Sequence, residues 1–103
     1  MNYLTHQLLN PEEIKVLSKD LNNQNLIWED GKKTAGIHAA KEKENLQLNR
    51  NSEISLKFSK LISKKILSEP LVKSFCLPKK IHGTMFTKAI KGMRYGCHVD
   101  NCL

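Results

Sequence analysis

The residues best equipped for chemistry lie at the end of the 103-residue chain, in the run Tyr95-Gly96-Cys97-His98-Val99-Asp100-Asn101-Cys102-Leu103. The run reads as a strand, and alternate residues of a strand share a face. His98 and Asp100 would therefore present an imidazole and a carboxylate side by side. These supply two of the three ligands of a 2-His-1-carboxylate triad, which holds one face of Fe(II) and leaves the other open to small molecules. The pair alone is weak grounds for a metal, because a histidine that merely hydrogen-bonds its neighbour has the same spacing. Cys102 alternates onto the same face, and a thiolate with an imidazole suits Zn(II) better. Three consecutive alternate positions make a poor tetrahedron, however, and no second Cys/His pair stands ready to close a structural site.

The elements that must carry this run can be read from caps and periodicity. Asn10-Pro11-Glu12-Glu13 reads as a helix start: Asn10 caps, Pro11 takes the first helical position, and Glu13 closes a capping box. A helix near 11–22 follows, with Ile14, Leu17 and Leu21 as the buried stripe and Val16 as a further candidate. Asn51-Ser52-Glu53 starts a second helix near 53–67, whose seam is Ile54, Phe58, Leu61, Ile62 and Ile66. Pro70 interrupts it, and Leu71, Val72 and Phe75 make a further helical turn or two before Leu77-Pro78. Tyr3–Leu9 suits a short opening strand. Leu26-Ile27-Trp28 suits a strand that enters an Asp30-Gly31 tight turn with positive φ, with Thr34-Ala35-Gly36 extended beyond it. The weakly periodic stretch from Ile37 to Asn49 reads as an irregular connection. Ile81 to Ala89 reads as extended, Lys91-Gly92-Met93 as a turn, and 95–100 as the strand that carries the metal pair. That strand stops with no turn or partner, so the chain is expected to be cut short in mid-sheet. An unfinished sheet edge invites pairing with another copy, a possible homo-oligomer.

Composition limits the alternatives. Domains run to roughly 100–150 residues, so 103 residues leave no room for two independent cores. Hydrophobic residues at 40% and charged residues at 26% fit a globular chain. Apolar runs reach about three residues, against the roughly 20 of a membrane helix, and the Met1-Asn2-Tyr3 start lacks the regions of a signal peptide. A soluble, cytoplasmic protein with no membrane partner is expected. Cys76, Cys97 and Cys102 form an odd set without C-x-x-C, so reduced thiols are expected.

The net charge of +7 is uneven: seven basic and seven acidic residues occur up to Arg50, against ten and three afterwards. A basic half raises the possibility of an anionic partner. Lys57, Lys60, Lys64 and Lys65 recur at helical spacing, as a solvated helix face requires, and they are not interleaved with aromatics, so nucleic acid is disfavoured. The alternative to an enzyme is a small basic binding protein contacting an acidic partner through the helix from Glu53 to Leu67. Trp28 reads as a core or sheet-packing residue. Gly36, Gly92 and Gly96 read as backbone devices for turns or bulges. Spacing alone assigns no chemistry to Lys43, Asn45 or Gln47.

Tyr95-Gly96-x-His98-Val99-Asp100-Asn101 resembles the metal strand of the prolyl-4-hydroxylase-like branch of Fe(II)/2-oxoglutarate dioxygenases, and more closely that of the bacterial PKHD-type hydroxylases. The resemblance extends through Trp28-x-Asp30-Gly31-Lys32, Thr34-x-Gly36, Ala39, Lys43-x-Asn45-x-Gln47, Leu77-Pro78 and Phe86. Motifs spread over several blocks are far more specific than one H-x-D triplet.

The resemblance implies an α+β domain: an N-terminal helical layer plus the first strands of a double-stranded β-helix, or jelly roll, here incomplete and covering residues 1–103. It implies Fe(II) bound by His98 and Asp100, with 2-oxoglutarate as cosubstrate and ascorbate as supporting reductant. O2 would be used to hydroxylate an unknown substrate with release of succinate and CO2. Tyr95 could line the iron pocket, although packing on the helical layer suits it equally. The second metal histidine and the arginine that pairs with 2-oxoglutarate lie farther along the family's chain than Leu103, so the chain is expected to be an N-terminal fragment, inactive alone. His6, His38, His82 and Arg94 match none of these roles. Ala89 stands where relatives carry a tyrosine, and Cys102 replaces the usual alanine after His-Val-Asp-Asn.

Overall fold

A computed structural model of the chain describes residues 3–34 and 43–97. Their order is α1 (Pro11–Leu21), β1 (Trp28–Asp30), a 3-10 turn (Gly31–Thr34), β2 (Leu46–Leu48), α2 (Glu53–Ser68), α3 (Pro70–Cys76) and β3 (Thr87–Lys88). The fold class is α+β. Two compact units emerge: a helical one from the chain up to Leu26 and Arg50–Thr84, and a sheet one from Ile27–Asn49 and the chain from Met85 onward. Among the described residues no helix is long and apolar enough to cross a membrane.

In the helical unit, α1 begins where its cap residues dictate. The Glu13 N–H donates to Asn10 Oδ1 at 2.8 Å and the Asn10 N–H donates to Glu13 Oε1 at 2.9 Å, which satisfies two backbone donors that a helix start otherwise leaves open. The expected buried stripe is only partly buried. Leu17 and Leu21 are half-buried, whereas Ile14 is 43% exposed. Ion pairs along α1 supplement the thin apolar contact: Lys65 Nζ lies 2.8 Å from Glu13 Oε1 and Lys57 Nζ lies 3.2 Å from Asp20 Oδ2.

Ser52 caps α2 by accepting from the Ser55 N–H at 3.3 Å. The seam is as expected, with Phe58 buried and Ile54, Leu61, Ile62 and Ile66 half-buried. Glu69 closes α2 and caps α3, where its Oε1 accepts from the Leu71 N–H at 3.2 Å. Leu77, at φ 50 and ψ 47, ends α3 in the left-handed conformation. The Thr84 N–H donates to Ser59 Oγ at 3.0 Å, which ties the segment after α3 back to α2. Tyr3–Leu9 is not a strand: its backbone has no ladder partner among the described residues, and His6 Nε2 instead lies 3.5 Å from Glu69 Oε2.

The sheet unit is antiparallel, ordered β1-β2-β3, with Trp28 opposite Leu48, Asp30 opposite Leu46, and Leu46 opposite Lys88. Its central strand, β2, lies in the stretch expected to be irregular. Leu48 is 1% exposed and Gln47 on the opposite face is 3% exposed, so both faces are covered. A buried glutamine there hides the apolar signal on which a strand reading depends. Of the extended stretch Ile81–Ala89, only Thr87–Lys88 pairs as a strand. The expected turn at Lys91-Gly92-Met93 is present, with Gly92 at φ 95 and the Met93 N–H donating to the Ile90 carbonyl at 2.9 Å.

Candidate functional site

The segment leading toward His98 pairs with the residues that precede β2. Tyr95 forms an isolated antiparallel bridge with Lys43, and beside it the Glu44 N–H donates to the Arg94 carbonyl. Lys43 is 7% exposed, with Nζ 5.2 Å from the centroid of the Tyr95 ring. An ammonium removed from water needs compensating partners, and the electron-rich face of a ring is one. On the neighbouring pair Arg94 Nε lies 4.0 Å from Glu44 Oε1, both side chains well exposed. Tyr95 itself is 40% exposed.

His98 and Asp100, expected to bind iron, lie outside the described residues, as do Cys102 of the zinc alternative, His38 and Gly36. The strand expected at 95–100 is described only to 97, with its one bridge at Tyr95. Among the described residues no group of three His, Cys, Asp or Glu side chains is placed to hold a metal. His6 faces Glu69 and His82 is exposed. The test of fit for iron therefore rests on donor chemistry: a neutral imidazole nitrogen with a carboxylate oxygen is a set that Fe(II) accepts.

The Asp30-Gly31 turn adjoins this region and differs from expectation. Asp30 Oδ1 accepts from the Lys32 N–H at 2.9 Å, and the chain continues as a 3-10 turn that includes Thr34, not as an extended strand. Gly31 is required by proximity and not by a positive φ. Its N–H donates to the Asn45 carbonyl at 2.8 Å, and a Cβ there would lie 1.7 Å from Asn45 Oδ1. That oxygen is buried and accepts no hydrogen bond among the described residues. Asp30, Lys32, Lys43, Glu44 and Met93 are among the residues around an open concavity of about 320 Å³ on this unit.

Lys43, Asn45 and Gln47, to which spacing assigned no chemistry, are thus packing residues of the sheet unit. The buried lysine and glutamine are what sequence reasoning missed, and the trace they left was their even spacing, four residues apart with Asn45 between them. Trp28 packs on the sheet as expected, half-buried and with Lys88 Nζ 5.4 Å from its ring. Two of the four lysines on the α2 face, Lys57 and Lys65, form ion pairs with Asp20 and Glu13 of α1. Cys76 and Cys97 are exposed free thiols.

No family model matches the chain, and no solved structure matches it. Among curated proteins it is 69% identical over 101 residues to a PKHD-type hydroxylase of Prochlorococcus marinus strain MIT 9215. It is 67% identical to one from strain MIT 9312 and 50% identical to one from strain NATL2A. Each alignment takes in 98% of this chain and 46% of the relative, so the chain spans about half the length of the curated relatives it matches.

Proposed function

We propose that this chain, whose sequence belongs with the PKHD-type hydroxylases, carries the N-terminal part of a single Fe(II)/2-oxoglutarate dioxygenase domain of jelly-roll type, with His98 and Asp100 as iron ligands. The observation that carries this reading is the 69% identity over 101 residues, taken with the His98-Val99-Asp100 triplet. When bound, iron and 2-oxoglutarate would supply the oxidative chemistry: O2 is consumed, 2-oxoglutarate yields succinate and CO2, and one oxygen atom enters a C–H bond of the substrate. Ascorbate would keep the iron ferrous.

The chain's own part is to present the two ligands on one face. His98 ligates as neutral imidazole and Asp100 as carboxylate, so protons compete with the metal and affinity falls as acidity rises. Two protein ligands hold iron weakly, and the 103 residues by themselves form no succinate.

Anaerobic equilibrium dialysis of the purified chain against Fe(II) tests this. Binding is expected in the unaltered chain and lost in both His98→Ala and Asp100→Ala, while Lys60→Ala and Lys64→Ala leave it unchanged. Iron retained equally by the His98 and Asp100 variants overturns the reading. Succinate formed by the chain alone, and abolished in His98→Ala, overturns only the claim of inactivity.

A further inference from the structure

In the helical unit, α3 has seven residues and none of them is buried, whereas an isolated helix shorter than about 12–15 residues is marginal in water. Its ends are well made: Pro70 takes the first position, Glu69 Oε1 accepts from the Leu71 N–H, and the Leu77 N–H donates to the Lys73 carbonyl at 2.9 Å. Caps alone do not hold so short a helix, so an apolar side must contribute. The helical period gathers Leu71, Val72, Phe75 and Cys76 on one side and leaves Lys73 and Ser74 on the other. Val72, at one flank of the apolar side, is half-buried, while Leu71 and Phe75 are 47% and 46% exposed. Leu67, near the end of α2 and four residues before Leu71, is exposed as well. The apolar side is wider than its cover.

We infer that Leu71 and Phe75 form a docking surface for the part of the hydroxylase chain that has no counterpart in these 103 residues. The inference rests on the single-domain reading above and is independent of the iron ligands. Each alignment takes in 98% of this chain but 46% of the relative, so more than half of the relative's length is available to cover α3. A continuous segment suits the face better than a separate molecule. Three partly exposed side chains fall short of the roughly 800 Å² per partner that a stable complex buries, whereas a segment tethered to the same chain meets the face at high effective concentration and needs less area. Once Leu71 and Phe75 are covered, α3 belongs to a common core, and its backbone opens only when that core does.

The test compares the 103-residue chain with the same chain joined to the part of the MIT 9215 relative that the alignment leaves out, by hydrogen exchange of the backbone amides of residues 71–77. Exchange there is expected to be fast in the shorter chain and at least about tenfold slower in the joined one. Phe75→Ser and Leu71→Ser should each lower the urea midpoint much more in the joined chain than in the shorter one, and restore fast exchange. If these variants fail to fold when joined, the exchange of the two unaltered chains decides. Equal exchange in the two unaltered chains overturns the inference. Protection in the shorter chain that rises with its concentration and is lost in Phe75→Ser gives the face to a second copy, and also overturns it. A joined chain that unfolds in one transition with α3 still exchanging fast overturns this surface alone. Two separate transitions with α3 unprotected overturn the single-domain reading as well.

Discussion

Asn45 Oδ1 occupies the space that a side chain on Gly31 would need, 1.7 Å from where its Cβ would sit, and the Asn45 carbonyl is 2.9 Å from the same point. The close approach lets the Gly31 N–H reach that carbonyl, which joins the turn after β1 to the chain entering β2. Gly31→Ala is therefore expected to cost about 1–3 kcal/mol, the usual range for overpacking. Urea unfolding measures it. Asn45→Ala in the same chain should recover part of the loss by removing the nearer clash, and strictly additive effects would show that the two residues do not compete for this space.

Leu77 is 79% exposed and left-handed at the end of α3. A branched side chain pays roughly 1–2 kcal/mol for that conformation, whereas glycine adopts it freely and loses roughly 0.4–1 kcal/mol through its greater unfolded-state freedom. Leu77→Gly is expected to stabilise the helical unit by about 0.5 kcal/mol. A lower urea midpoint would contradict this.

Ser52 and Ser55 stand in one helical turn, yet only the first should lose stability when changed to alanine. Ser52 caps α2, so Ser52→Ala is expected to cost about 1 kcal/mol. Ser55 is fully buried and its Oγ has no hydrogen-bond partner among the described residues. Ser55→Ala removes that unpaired hydroxyl and improves helix propensity, so it should be neutral or stabilise by up to about 1 kcal/mol. Thermal unfolding of the two variants in parallel separates these outcomes.

Glu13 accepts from Lys65 and, through the capping box, from the Asn10 N–H, and these hold its carboxyl below the ordinary value of 4.5. A carboxyl depressed by folding stabilises the folded state above its unfolded pKa. That contribution is lost as pH falls through the lower, folded value. Between about pH 6 and about pH 3 the unaltered chain should lose stability more steeply than Glu13→Gln, which keeps the cap geometry but not the charge. Parallel slopes for the two chains would show that Glu13 is not the group responsible.

The helices were legible because their signals are local. Asn10, Pro11 and Glu13 lie within one turn of each other, and so do Ser52 and Ser55, so cap chemistry marks each start without reference to the remainder of the chain. Phe58 and the isoleucines of α2 follow the helical period for the same reason. β2 was not legible, because Gln47 and Leu48 are both buried, on opposite faces of the strand, and the alternation that marks a half-exposed strand is missing. Ile14 fits the α1 stripe by spacing, yet only the packing shows it to be 43% exposed.

By itself, then, the amino-acid order determined where the helices start and carries the likeness to PKHD-type hydroxylases. Tertiary structure alone decided that Gly31 yields its space to Asn45, that Lys43 is buried against Tyr95, and that Lys57 and Lys65 are engaged with α1. Caps and periodicity act over about four residues, whereas these other relationships join positions far apart in the chain. Nothing in the local pattern of either partner announces the other.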